Sequence, residues 1–181
     1  ALGNELNETN ERLQAAVQRT YIENNWLTTA NYRNALSEWQ KQFTEAKLTT
    51  FMQGYKPAKA PKVVGIIMAG NIPMVGFHDL LCVVLSGHTA LVKPSSEDKY
   101  VMQLIVSMLK DILPALQERI QLVDRIQNVD AAIATGSKNS FRYFEKYFSK
   151  IPSLLRKNRK SMAVLLGEES ETELALLADD I

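Results

Sequence analysis

The spacing of apolar positions changes character near residue 60. From Asn7 to about Tyr55 they recur at helical intervals in a polar background, with Leu13, Val17 and Tyr21 on one face and Tyr32, Leu36, Trp39 and Phe43 on another. This predicts a pair of helices, with Thr28 or Thr29 as the cap between them and with aromatic residues that pack on a neighbouring core rather than hold a ligand. Lys56-Pro57-Ala58-Lys59-Ala60-Pro61-Lys62 cannot continue a helix and reads as a connector. Residues 1–56 are therefore expected to form a helical segment packing on the main unit, and residues 62–181 a unit of a different kind.

In that second unit, short runs rich in β-branched residues alternate with helix-length segments, the pattern of an α/β fold with a parallel sheet and crossover helices. Val63 to Met68 is a near-continuous apolar run, as for a strand buried on both faces. Pro73 to Leu85 reads as a helix stopped by Gly87, and Thr89 to Val92 as the second strand. Ser95 or Ser96 can cap the next helix, whose stripe runs through Val101, Leu104, Ile105, Met108, Leu109 and Ile112 to an end near Pro114. Ile120 to Val123 and Ala131 to Ala134 are further strands, Asn139 to Phe148 a helix, Ser161 to Leu166 a strand, and Glu171 to Ile181 the start of another helix.

Ligands of an open parallel sheet bind beyond the carboxyl ends of its strands. Ala69-Gly70-Asn71-Ile72-Pro73, Lys93-Pro94-Ser95-Ser96 and Thr135-Gly136-Ser137 fall at such ends. Each has a purely structural alternative: Gly70 as a tight turn, Asn71 as a cap, Pro73 as the first helical residue, Gly136-Ser137 as turn and cap, and Lys93 as a solvated charge. Together they suit a dinucleotide, since a helix starting near Ser137 offers free N–H groups to a pyrophosphate and Lys93 offers a charge to a ribose hydroxyl or 2′-phosphate. Neither a Gly-x-Gly-x-x-Gly fingerprint nor a Gly-x-x-x-x-Gly-Lys loop occurs.

Composition narrows the classes. With 21 Lys and Arg against 20 Asp and Glu, the net charge is +1, which argues against a nucleic-acid or membrane-surface partner bound by a positive field. The stretch Ile72 to Leu85 is interrupted by His78 and Asp79 and is too short for a membrane span. The first residues show no signal-peptide pattern, so a cytoplasmic location is the default expectation. Cys82, the single cysteine, sits among leucines and valines and reads as a buried inert thiol; with only His78 and His88 beside it, no metal site is expected. The cations Lys146, Lys150, Arg156, Lys157, Arg159 and Lys160 read as a solvated or domain-contact face rather than a CoA-phosphate site.

Four segments in order carry a resemblance: Gly70-Asn71-Ile72-Pro73-Met74-Val75-Gly76-Phe77, Ala90-Leu91-Val92-Lys93-Pro94-Ser95-Ser96, Ala134-Thr135-Gly136-Ser137 and Lys160-Ser161-Met162-Ala163-Val164. Across Lys62 to Leu166 the chain resembles the aldehyde dehydrogenase superfamily, and more closely its LuxC-type fatty acyl-CoA reductases. The resemblance implies an aldehyde-dehydrogenase-like cofactor domain preceded by a helical segment. It also implies reduction of a fatty acyl-CoA to aldehyde, in which a cysteine thiolate expels CoA and a reduced nicotinamide donates hydride to the acyl-enzyme. Asn71 matches the asparagine whose amide stabilises the oxyanion. Lys93 matches the lysine near the adenosine ribose, and Gly136 and Ser137 the loop at the cofactor phosphates. The cofactor is thus expected against Ala69, Gly70, Lys93, Ser95, Ser96, Thr135, Gly136 and Ser137.

At Ser96 many NAD-using relatives carry a glutamate that would repel a 2′-phosphate, so NADPH is favoured over NADH. Arg156 aligns with the glutamate that activates water in hydrolytic members, and its presence suits exchange with CoA. The family nucleophile is expected beyond Ile181, and Cys82 does not correspond to it, so residues 1–181 alone are expected to be the incomplete, inactive cofactor-binding part. Acyl-phosphate (glutamyl phosphate type) reduction, short-chain CoA-acylating aldehyde dehydrogenation and a non-catalytic nucleotide-binding module are the alternatives. Self-association into a homo-oligomer is left open.

Overall fold

A computed structural model describes residues 2–7, 9–157 and 162–179. The helices α1 (Leu2–Glu5), α2 (Glu11–Glu23), α3 (Thr29–Gln42) and α4 (Glu45–Met52) precede β1 (Val63–Ile67), α5 (Phe77–Leu85), β2 (Thr89–Lys93), α6 (Lys99–Ile112), β3 (Ile120–Leu122), β4 (Ala131–Gly136), α7 (Lys138–Tyr147), β5 (Ser153–Lys157) and α8 (Glu171–Asp179). All strand pairs are parallel, in the order β3-β2-β1-β4-β5. This is the expected α/β fold.

Alternation along the central strands divides the core in two. Val64, Ile66, Ala90 and Val92 join α5, α6 and the N-terminal helices in one cluster. Gly65, Ile67, Leu91, Ala132 and Ala134 turn the other way, toward Ile126, Val129, Phe144 and Phe148. Tyr32, Trp39 and Phe43 pack on the core as expected, whereas Tyr21 is exposed. Trp39 meets Phe77 edge-on at 4.8 Å between ring centres, and Phe43 stacks on Phe77 at 5.6 Å. Thr28 caps α3 by accepting from the Asn31 N–H, and Gly87 ends the turn after α5 at a φ of 89° that glycine tolerates.

Among the described residues, the N-terminal segment holds four helices where a pair was expected, and three elements after it also depart from expectation. The helix predicted from Pro73 begins at Phe77, because Met74 takes a left-handed φ of 58° and its N–H is held by the Asp98 side chain. Neither Ser95 nor Ser96 caps α6: Asp98 occupies the cap position and makes no side-chain cap bond. The last strand is Ser153–Lys157, paired with β4, while Met162 to Leu166 is irregular and largely exposed. Ser161, where that strand was expected to start, lies outside the described residues, as do Arg159, Lys160 and the final residues of the predicted last helix.

Candidate functional site

Because β1, β2 and β4 are parallel, the loops after them leave the sheet on one edge. Ile67 is in register with Lys93 on one side and Ala134 on the other. The segments after Ala69, Lys93 and Ala134 therefore emerge side by side, where ligands of such sheets bind. The first two loops touch. A Cβ on Gly70 would lie 2.3 Å from Ser95 Oγ and 2.7 Å from Ser95 Cβ, so the approach requires glycine. Ser95 Oγ also accepts from the Glu97 N–H at 3.2 Å. Ser137 caps α7, accepting from the Ser140 N–H at 3.2 Å and leaving the first amides of that helix without intrahelical acceptors. Thr135 and Gly136 are half-buried at the end of β4.

Three of the predicted residues line two separate concavities, and Ala69, Gly70, Ser95, Thr135, Gly136 and Ser137 line neither. Asn71 and Ser96, both exposed, line a cavity of about 500 Å³ with Glu23, Asn24, Trp26 and Glu97. Lys93 lines another of about 820 Å³, with Ile67, Asp124, Arg125, Tyr143, Lys146, Tyr147 and Lys150 among its walls. Trp26 is 76% exposed and comes from the turn between α2 and α3. Sequence reasoning missed it, although a tryptophan beside two asparagines in a turn is itself a signal.

Two buried carboxylates behind these surfaces were also missed. Asp98 is 2% exposed and accepts from the Tyr32 hydroxyl and, at 2.7 Å, from the Met74 N–H. Burial pushes its carboxyl up to about 6 despite both hydrogen bonds, and pushes the Tyr32 phenol far up with help from the Asp98 charge. Asp79, in the first turn of α5, is gripped by Arg156 Nη1 at 2.6 and 2.7 Å. Arg156 is in register with Thr135, so this pair stands on the same sheet edge. Arg156 is thus a partner of a buried acid, not part of a solvated basic face. Lys157 sits 5.4 Å from the Phe141 ring centre.

Cys82 is half-buried rather than fully buried, with Sγ 3.7 Å from His78 Nδ1. Burial, and then the Asp79 charge, push its thiol up while Arg156 opposes them, so it is not poised as a thiolate. No group of three His, Cys, Asp or Glu side chains among the described residues could hold a metal ion, and no described helix is long and apolar enough to cross a membrane.

The fold is that of aldehyde dehydrogenases. Betaine aldehyde dehydrogenase from Staphylococcus aureus, solved in complex with NAD+, superposes with a TM-score of 0.63 at 13% identity, covering 85% of this chain and 36% of that one. The NAD-dependent benzaldehyde dehydrogenase of Corynebacterium glutamicum gives 0.58 at 16% identity, covering 84% and 38%. The chain thus spans little more than a third of the length of either relative. No curated protein sequence matches it. The family model described as acyl-CoA reductase (LuxC) matches residues 4–181. Nearly the whole chain is covered by that match, and the protein belongs to the LuxC acyl-CoA reductase family.

Proposed function

We propose that this chain is the cofactor-binding part of an NADPH-dependent reductase that converts a fatty acyl-CoA to its aldehyde. The observation that carries the reading is the meeting of the Gly70-Asn71, Lys93–Ser96 and Thr135–Ser137 loops on one edge of the parallel sheet. A nicotinamide dinucleotide fits what lies there. The groove at Lys93 adds Arg125, Lys146 and Lys150 against the single carboxylate of Asp124, which suits the phosphate-bearing end. The amides at the start of α7 and the Ser137 hydroxyl are donors for a pyrophosphate. The cavity at Asn71 is lined by Glu97 and by Glu23, which pairs with Lys99 at 3.4 Å.

When bound, the reduced nicotinamide supplies the hydride. The residues of this chain bind and orient. In the reaction, a cysteine thiolate attacks the thioester carbonyl, the bond to the CoA sulfur breaks and CoA leaves. Asn71 offers its amide N–H to the oxygen on which negative charge gathers in attack and again in reduction. The preference for NADPH rests on Lys93 and on the absence of a carboxylate at Ser96, although Ser96 itself lines the Asn71 cavity together with Glu97.

Titration calorimetry of the folded protein is expected to show binding of NADPH and weaker binding of NADH; no heat with either would remove the cofactor assignment. In the whole enzyme, Asn71→Ala should lower turnover about 100-fold with NADPH affinity unchanged, the scale of losing one oxyanion donor. Unaltered turnover would remove Asn71 from the chemistry.

A further inference from the structure

Asp98 lines neither concavity, yet it joins three chain segments that are far apart in sequence. It belongs to the loop before α6, and its oxygens accept from Tyr32 on α3 and from Met74 in the loop before α5. Its cap position at α6 is left without a side-chain cap bond. Tyr32 and Met74 are as buried as Asp98 itself, at 0% and 1% exposure. Met74 is also left-handed at φ 58°, a conformation that a non-glycine side chain keeps only where its surroundings impose it. The carboxylate that takes the Met74 N–H is that imposition. Three residues earlier stands Asn71, exposed, in a loop fixed on its other side by the contact of Gly70 with Ser95.

We propose that Asp98 is a positioning residue for Asn71. Its carboxylate holds the turn from Ile72 to Gly76 in the one shape that aims the Asn71 amide into the cavity, and through Tyr32 it makes the N-terminal helices part of the same clasp. The inference rests on the role given above to Asn71 in acyl reduction. It assigns to the helical segment a task beyond covering the sheet, since the Tyr32 hydroxyl is one of the two donors that fix the carboxylate.

The test is a mutant cycle in the whole enzyme, with NADPH and a long-chain acyl-CoA. Asp98→Leu keeps much of the bulk but offers no acceptor, so the Met74 N–H and the Tyr32 hydroxyl both lose the partner that Asp98 gives them. Turnover is expected to fall at least about tenfold, as misplacement of a reacting group does. The KM for acyl-CoA and the NADPH affinity should stay within about twofold. The double variant with Asn71→Ala should be no slower than Asn71→Ala alone, because the two residues act as one unit. Tyr32→Phe, which removes a single donor, should show a loss of a few fold with the same non-additivity, and it serves if Asp98→Leu does not fold by circular dichroism. A folded Asp98→Leu enzyme with full turnover would overturn the proposal. So would losses that multiply with those of Asn71→Ala, or a parallel loss of NADPH affinity. Full turnover in Asn71→Ala itself would bring down the oxyanion assignment and this inference together, whereas an impaired Asn71→Ala beside an unimpaired Asp98→Leu would bring down only the clasp.

Discussion

The cavity at Asn71 and the groove at Lys93 open on the same edge of the sheet, but they are built by different means. Beside the Asn71 loop stand the buried carboxylate of Asp98, bonded to residues distant in the chain, and a glycine contact that tolerates no side chain, while Asp79, held by Arg156, stands on the same edge of the sheet. The Lys93 groove is floored by Ile67, Ile126, Phe144 and Phe148 and ringed by cations. One surface is set by directed bonds, which fix angles; the other is set by burial and charge, which are forgiving of small shifts. The contrast fits a site whose reacting end needs fixed geometry and whose anchoring end needs mainly a field.

The largest expected effect would break the first surface. Arg156→Ala leaves Asp79 buried without the nitrogen that reaches both its oxygens and should cost about 3 kcal/mol of stability, read as a lowered urea midpoint. Replacing both residues by leucine should recover most of that loss, since the pair then leaves no orphaned charge. A midpoint unchanged by Arg156→Ala would mean that the pair does not brace this edge.

A smaller effect is expected on the other surface. Lys93→Ala should weaken NADPH binding about tenfold and NADH binding less, with stability unchanged, in keeping with the loss of one charge-assisted hydrogen bond. Equal weakening of the two cofactors would disprove a contact with the 2′-phosphate.

The smallest effect is a slope with pH. The folded value of about 6 for Asp98 lies above the ordinary 3.8, so on acidification the folded chain takes up this proton before the unfolded one does. The stabilisation is complete below about pH 4 and lost as pH rises through about 6. Chemical unfolding should therefore show wild type gaining about 1 kcal/mol on Asp98→Asn between about pH 7 and pH 5. A flat difference would mean that the carboxyl is not held above its usual range.

What could be read in the sequence was whatever depends on neighbours along the chain. Period and strand runs placed β1, β2 and β4, and strand ends alone brought Asn71, Lys93 and Ser137 to one edge. The missed features depend on partners elsewhere. Asp98 follows two serines and looks like one more cap candidate; its real partners lie 66 and 24 residues away. That bond also explains why Pro73, a good first residue for a helix, does not start one. The β5 strand hid behind Pro152 and two basic residues because it is an edge strand, which need not be apolar on both faces. Met162 to Leu166 has the composition of a strand, but strand propensity is realised only on a ladder, and the described residues offer it none. Trp26 was missed because nothing in a turn shows which distant loop it will face.

Met74 has a consequence for anyone who would stabilise this protein. A left-handed backbone costs a non-glycine residue about 1–2 kcal/mol, and the customary remedy is glycine or asparagine at that position. Here the side chain is 1% exposed, and burying a methionine contributes about 2–3 kcal/mol. The strain is outweighed by the core it helps to fill, so the usual replacement would relax the backbone and still leave a less stable protein, with a hole beneath the loop that carries Asn71.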